Sequence, residues 1–292
     1  MTASIIRDLE QGNPTWVQPW KSGSSGLMPS NYATGRHYSG MNILILYMAW
    51  RDNLYPQNMW MTYRQAAAKG FQVRKGEHAT AIIYAGEQTV NAGTDEEHHY
   101  KFMKQAHVFN VSQIDGIHPH EPAKILPPAD TTLQAFVDAT GARIEHGGDK
   151  AFYVPSKDFV RIPERASFFD EGSYWATLLH ELSHWTAHPT RLDRTLGKRF
   201  GDDAYCVEEL IAELSAAFLC AHLNIKGELR HAGYIKTWIA CLKADSRAIF
   251  SAASMATKAS DYLITFSQET QDGEIELNGT HQGAGSREVQ AA

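Results

Sequence analysis

Apolar residues recur at helical spacing along residues 175–189, where three leucines form a stripe suited to a buried helix face. The stripe consists of Leu178, Leu179 and Leu182. Ser173 can cap the N-terminus of this helix, Asp170 lies near its positive dipole end, and Pro189 ends it. The pattern therefore predicts a helix that packs its leucines on a core and carries polar residues on another face.

Residues 204–223 carry a second apolar stripe with the same period, and Asp202 or Asp203 can cap the helix that it predicts. The stripe consists of Val207, Leu210, Ile211, Leu214 and Phe218. Another face carries Ala212 and Ala216, whose small side chains would let a neighbouring helix approach closely. The sequence thus predicts a second helix with room for a close helix neighbour.

Shorter patterns predict the remaining elements. Helices are predicted over residues 2–11, 42–51, 62–69, 133–140, 234–243 and 245–266. Strands are predicted over residues 80–84, 102–111, 142–145, 152–154 and 159–162. The fold class is α+β, with a small N-terminal α+β domain followed by a mainly helical domain that contains a short sheet.

Changes in composition divide the chain into domains. Residues 118–130 are rich in proline and read as a linker between an N-terminal domain, residues 1–117, and a C-terminal domain, residues 131–267. Residues 268–292 are polar, glycine-rich and aperiodic, and we expect this tail to be disordered.

The first of the two helices contains His180-Glu181-Leu182-Ser183-His184, a match to the pattern H-E-x-x-H. Residues four apart share a helix face, so His180 and His184 can direct two imidazoles at one metal ion. Glu181 can reach a water molecule at that metal without ligating it, as a general base must. Glu181 is therefore the predicted catalytic base.

A third ligand is expected on the second helix, where Glu209 and Glu213 lie four residues apart on one face. We assign Glu209 as the ligand and place Glu213 behind it, where its carboxylate would orient a ligand imidazole. The reverse assignment, and Glu208 as the ligand, remain open. The spacing resembles that of gluzincin-type metallopeptidases, which implies peptide hydrolysis with one open coordination position.

Further residues are predicted to surround this site. Tyr234 or His231 can stabilise the oxyanion of a tetrahedral intermediate. The basic connection over residues 190–201 could gate the cleft or contact an anion. In zincins one edge strand of a short sheet pairs with the peptide substrate, but the sequence leaves open which strand that is.

Composition and charge limit the binding partners and the cellular compartment that we expect for this protein. The 292 residues carry a formal net charge of −6, which argues against an electrostatic binder of duplex DNA but not against binding of single strands by stacking. The three cysteines form no C-x-x-C pair, and no signal peptide follows Met1. We therefore expect a cytoplasmic protein that has no membrane partner.

Aromatic residues are concentrated near the N-terminus. Trp16 and Trp20 lie in a Pro-flanked segment that cannot form a long helix, and Tyr32, Arg36 and Tyr38 surround a predicted turn at Thr-Gly. Aromatic rings beside an arginine can form a surface that stacks nucleic-acid bases. The same residues are equally suited to packing on a core.

Both halves resemble one family, the plasmid antirestriction proteins of the ArdC type, whose N-terminal domain also opens TraC-type conjugative primases. The N-terminal motifs are Tyr32-x-Thr34-Gly35-Arg36-x-Tyr38-x-Gly40-x-Asn42, Trp60-x-Thr62 and Phe109-Asn110-Val111-x-Gln113. The C-terminal motifs are the run from Leu179 to Thr186, Arg191-Leu192, and Glu208-Glu209-Leu210-Ile211-Ala212-Glu213. The resemblance covers nearly the whole chain except the tail.

This resemblance implies an N-terminal domain that binds single-stranded DNA, a metallopeptidase-like C-terminal domain, and protection of incoming plasmid DNA during conjugation. It favours DNA contact by Trp16, Trp20, Tyr32, Arg36 and Tyr38. The expected cofactor is Zn²⁺, with other divalent ions such as Mn²⁺ as alternatives, and the expected partners are single-stranded DNA and an unidentified protein substrate. Two rival hypotheses remain: a non-enzymatic protector with a structural or vestigial metal site, and a peptidase whose N-terminal domain recognises protein.

Overall fold

The computed structural model describes residues 1–12, 28–90, 98–117, 130–196, 203–225 and 234–280. Its helices are α1 (Thr2–Glu10), α2 (Met41–Asp52), α3 (Tyr63–Ala68), α4 (Asp130–Ala139), α5 (Glu171–Trp185), α6 (Asp203–His222), α7 (Ile235–Ala244) and α8 (Ala248–Thr280). Its strands are β1 (Ser30–Asn31), β2 (Met59–Met61), β3 (Gln72–Val73), β4 (Thr80–Val90), β5 (His98–Asn110), β6 (Ile114–Asp115), β7 (Arg143–His146), β8 (Phe152–Val154) and β9 (Phe159–Ile162). This mixture confirms the predicted α+β class.

The strands form separate sheets in the two halves. In the N-terminal half the order β1-β2-β5-β4 is built around the long antiparallel pair of β4 and β5, and β3 pairs with β6. In the C-terminal half the order is β7-β9-β8, so β9 is central, parallel to β7 and antiparallel to β8. β8 is consequently an edge strand of the sheet that precedes α5.

Helix starts follow local capping chemistry, and one predicted cap is wrong. At α3, Thr62 and Gln65 form a capping box in which each side chain bonds the backbone of the other residue. At α5 the cap is Asp170 rather than Ser173, because Asp170 has an extended backbone and its carboxylate accepts a 2.7 Å hydrogen bond from the Ser173 N–H. The helix therefore begins before the residue that the sequence assigns as its cap.

A single hydrophobic core joins the two halves. It contains Ile5 and Leu9 from α1, residues of α2, and the apolar faces of α5, α6 and α8. Polar contacts reinforce this junction: the Gly40 N–H donates to Thr257 Oγ1 at 2.8 Å, and Thr2 Oγ1 donates to the Ser246 carbonyl at 2.9 Å. The N-terminal helices thus pack directly on the helices of the C-terminal half.

The predicted boundaries stay predictions, because residues 118–129 of the linker lie outside the described ranges. The backbone of α8 continues to Thr280, past residue 267, where the sequence predicts the folded part to end and the disordered tail to begin. Among the described residues, no helix combines the length and apolarity needed to cross a lipid bilayer.

The shared core predicts that Leu9→Ala destabilises the whole chain. Leu9 is 1% exposed in the core that α1 shares with the C-terminal helices, so its truncation would leave a cavity costing about 2–5 kcal/mol of unfolding free energy. Urea denaturation followed by circular dichroism measures this loss. Glu10→Ala is the control, because it removes only the exposed Glu10–Lys243 ion pair, worth less than about 1 kcal/mol. Equal effects of the two variants would show that α1 contributes nothing to the shared core.

Candidate metal centre

The predicted metal ligands on α5 lie on one buried face. Leu178, Leu179 and Leu182 are at most 1% exposed and anchor the helix in the core. The same helix turns His180 and His184 toward one point, with their ring centroids 4.8 Å apart. Two imidazoles are thereby held within reach of a single ion.

α6 supplies the carboxylate that completes the group. Glu209 Oε2 lies 3.5 Å from His180 Nε2, and Glu209 Oε1 lies 3.6 Å from His184 Nε2. One donor atom from each residue falls within 4.8 Å of the others, and all three residues are buried. Ala212 and Ala216 on α6 are fully buried, consistent with the close helix approach that the sequence predicts.

The outward nitrogens of both imidazoles face further carboxylates. His184 Nδ1 lies 3.2 Å from Glu208 Oε1, and His180 Nδ1 lies 3.6 Å from Glu213 Oε2. Carboxylates at Nδ1 favour the tautomer that leaves Nε2 free to bind a metal. Of the three candidate glutamates, only Glu209 therefore faces both Nε2 atoms, and the donor set of two nitrogens and one oxygen fits a zincin metal.

Charge balance in this group shifts the pKa values strongly. Burial alone would lower the pKa of both imidazoles, but the neighbouring carboxylates outweigh it and raise the pKa of His180 to about 10 and that of His184 to about 9. Burial opposes ionisation of Glu209 as well, yet hydrogen bonds to the two imidazoles hold its pKa well below the usual value. The carboxylates around the two imidazoles thus favour positive charge on the imidazole rings.

Glu181 lines a cavity of about 870 Å³ together with His180 and His184. Burial raises the pKa of its carboxyl, while the backbone N–H of Tyr153 donates to it and partly offsets that rise. Tyr153 belongs to β8, so the edge strand of the short sheet forms one wall of this cavity. A proton acceptor, a group of metal-ligating side chains and an edge strand of the described sheet therefore meet in one cleft.

Tyr234 also lines the cavity, and its hydroxyl lies 2.9 Å from that of Tyr205. Tyr205 is in addition hydrogen-bonded to Glu209, and burial raises the pKa of both phenols, so they stay protonated at neutral pH. Tyr205 is not among the residues predicted from the sequence, although its position four residues before Glu209 places both on one helix face. His231 lies outside the described residues.

Two arginines of the basic connection that was predicted to gate the cleft or contact an anion, Arg191 and Arg194, form internal ion pairs. Arg191 pairs with Asp158, and Arg194 pairs with Glu208. Their side chains are 8% and 7% exposed, so neither guanidinium is presented to the solvent. Residues 197–202 of the same connection lie outside the described ranges.

The candidate DNA-binding residues are only partly described. Trp16 and Trp20 lie outside the described ranges. Tyr32 is half-buried with its ring against Phe71 at 6.3 Å, and Tyr38 is half-buried with its hydroxyl accepting a 3.2 Å hydrogen bond from Asn31. Arg36 is exposed at the turn. The structure thus brings these three residues into one small region of the N-terminal half.

The fold and the buried His-His-Glu group define a two-part protein with a zincin-like domain in its C-terminal half. Residues 131–255 match the family described as a zincin-like metallopeptidase, and residues 1–109 match the N-terminal domain of the anti-restriction factor ArdC. The chain belongs to the family of ArdC-type antirestriction proteins.

Individual relatives agree with this assignment. The chain is 39% identical to a protein of Sinorhizobium fredii named y4eC, over 94% of each sequence. It is 38% identical to the DNA primase TraC of Escherichia coli over 91% of its own length but 27% of the primase. The metal-free crystal structure of the antirestriction protein ArdC from plasmid R388 matches 92% of this chain and 96% of that one, with 38% identity and a TM-score of 0.78. The Mn(II)-bound structure of the same protein matches 91% and 96%, with 37% identity and a TM-score of 0.77.

The raised imidazole pKa values predict that metal affinity increases with pH. Ligation requires neutral imidazoles, yet pKa values of about 10 for His180 and about 9 for His184 keep both protonated at neutral pH. Each displaced proton should add up to about tenfold in affinity per pH unit until its pKa is reached. Competition titrations of the metal-stripped protein against a chelator of known pH dependence measure this slope. A flat profile between about pH 6 and pH 9 would contradict the charge arrangement.

Proposed function

We propose that this chain is an antirestriction protein that binds single-stranded DNA, protects incoming plasmid DNA during conjugation, and hydrolyses peptide bonds at the His180, His184 and Glu209 centre. The observation that carries the peptidase half is the placement of Glu181 beside this centre, in a cavity bordered by an edge strand. A purely structural metal site has no use for a general base or an open cavity. The proposed metal is Zn²⁺, with Mn²⁺ as the alternative.

Glu181 is proposed to move the proton during hydrolysis. A divalent ion bound by His180, His184 and Glu209 would act as a Lewis acid and lower the pKa of water in the cleft. Glu181 then accepts the proton of the attacking water and delivers it to the leaving amine. Burial raises the pKa of Glu181 above that of a free carboxyl, which makes it a better proton acceptor.

Two further groups are proposed to hold the substrate. β8 is the edge strand of the described sheet and could pair with an extended peptide, which would lie along the cavity beside Glu181. The protonated hydroxyl of Tyr234, supported by Tyr205, can donate to the oxygen that becomes negative during attack. The peptide is thereby held between the strand edge and the phenols.

The DNA half of the proposal rests on family and on surface chemistry. The N-terminal domain is shared with relatives that are named as DNA primases, and the described part of its turn presents exposed Arg36 beside Tyr32 and Tyr38. An arginine with aromatic neighbours suits the backbone and bases of a single strand. We place this activity in the cytoplasm, where an incoming plasmid strand would be met.

Glu181→Gln is expected to abolish cleavage of labelled casein, by at least about a hundredfold, because glutamine cannot accept the proton. Metal content, measured by atomic emission after desalting, should stay at the wild-type level, since Glu181 ligates nothing. Glu171→Gln, at the first turn of the same helix and in an exposed ion pair with Arg165, should retain activity. Cleavage retained by Glu181→Gln with metal bound would rule out this mechanism and favour the non-enzymatic protector.

The full chain is expected to bind a labelled single-stranded oligonucleotide more tightly than the duplex, with affinity falling as salt rises. Arg36→Ala should weaken single-strand binding and reduce the salt slope by about one, because one phosphate contact is lost. Arg247→Ala, which removes the same charge from a side chain that is 90% exposed in the C-terminal half, is the control. Fluorescence anisotropy that shows no binding to either oligonucleotide would favour an N-terminal domain that recognises protein.

A further inference from the structure

Arg194 connects the end of α5 to the beginning of α6. Its guanidinium donates to both carboxylate oxygens of Glu208, at 2.8 and 3.0 Å. It also donates to the Ser183 carbonyl and to Thr186 Oγ1, each at 2.8 Å. The side chain of Arg194 is 7% exposed, so Arg194 is a buried cation. Its N–H groups donate hydrogen bonds to residues that surround His184.

Glu208 transmits this contact to the metal centre. The same oxygen that accepts from Arg194, Oε1, lies 3.2 Å from His184 Nδ1. A carboxylate in this position holds the proton on Nδ1 and turns Nε2 toward Glu209. Glu208 is 3% exposed, so without Arg194 its charge would be buried with one fewer partner and its position would no longer be held from the α5 side.

Arg191 provides an internal comparison within the same segment. Its side chain is equally buried, at 8% exposure, and it also pairs with a carboxylate, Asp158. It donates to the Trp185 carbonyl at 2.6 Å and lies over the Trp185 ring at 3.8 Å, so it fastens the turn between β8 and β9 to α5. None of its described contacts is to a metal ligand or to a carboxylate that touches one.

We propose that Arg194 is a positioning residue of the metal centre, which acts through Glu208 to fix the orientation of His184. Arg191 instead holds the turn between β8 and β9 against α5. The inference rests on the proposed metal site, but not on peptide cleavage, because metal binding can be measured in a protein that cleaves nothing.

The test compares Arg194→Gln with Arg191→Gln in the full-length, metal-stripped protein. Both variants remove a buried guanidinium from one loop, so both should lower the unfolding free energy. Zn²⁺ affinity by chelator competition should fall about 10- to 100-fold for Arg194→Gln and stay near wild type for Arg191→Gln. The visible absorption spectrum of bound Co²⁺, which reports ligand geometry, should change only in Arg194→Gln.

Two further variants keep the test decisive if Arg194→Gln folds poorly. Arg194→Lys retains the charge but not the two-point contact with Glu208, and should give an intermediate affinity. Glu208→Gln removes the charged acceptor at His184 Nδ1 and should weaken Zn²⁺ binding as Arg194→Gln does. Wild-type Zn²⁺ affinity and Co²⁺ spectra in both Arg194 variants, or an equal loss in Arg191→Gln, would overturn the positioning role. A wild-type protein that binds neither ion would instead overturn the proposed metal site itself.

Discussion

The packing of α5 against α6 is the constraint on which the site depends. It brings two imidazoles and four carboxylates, Glu181, Glu208, Glu209 and Glu213, into one buried region. Burying carboxylates without compensation is costly, so the arrangement requires cations in matching positions. Arg194 compensates Glu208, and the imidazoles compensate Glu209 and Glu213. Small residues at the contact, with Ser183 Oγ bonded to Ser215 Oγ at 2.9 Å, permit this approach.

The remainder of the chain supports this pair of helices. α8 packs along α6, and α1 and α2 of the N-terminal half pack on α7 and α8. The described part of the N-terminal domain is thus joined to the metal domain through a common core. A change in the N-terminal half that disturbs this core would also affect α5 and α6, so the folds of the two halves share one source of stability.

Much of the centre is predictable from local sequence, because it depends on helical periodicity. The stripe of Leu178, Leu179 and Leu182 predicts α5, and a spacing of four places His180 and His184 on one face. Helical periodicity does not decide which of Glu208, Glu209 and Glu213 is the third ligand, because all three lie within two turns of α6. Likewise, the partners of Arg191 and Arg194 and the edge position of β8 arise from contacts between distant elements, which no local pattern contains.

The charge of the centre also bears on how the fold accommodates a metal. With pKa values of about 10 and about 9, the imidazoles of His180 and His184 are each protonated at neutral pH when no metal is bound, and together they carry two positive charges. A divalent ion that displaces both protons brings in the same charge that they take away. The buried carboxylates therefore keep positive charge beside them in either state.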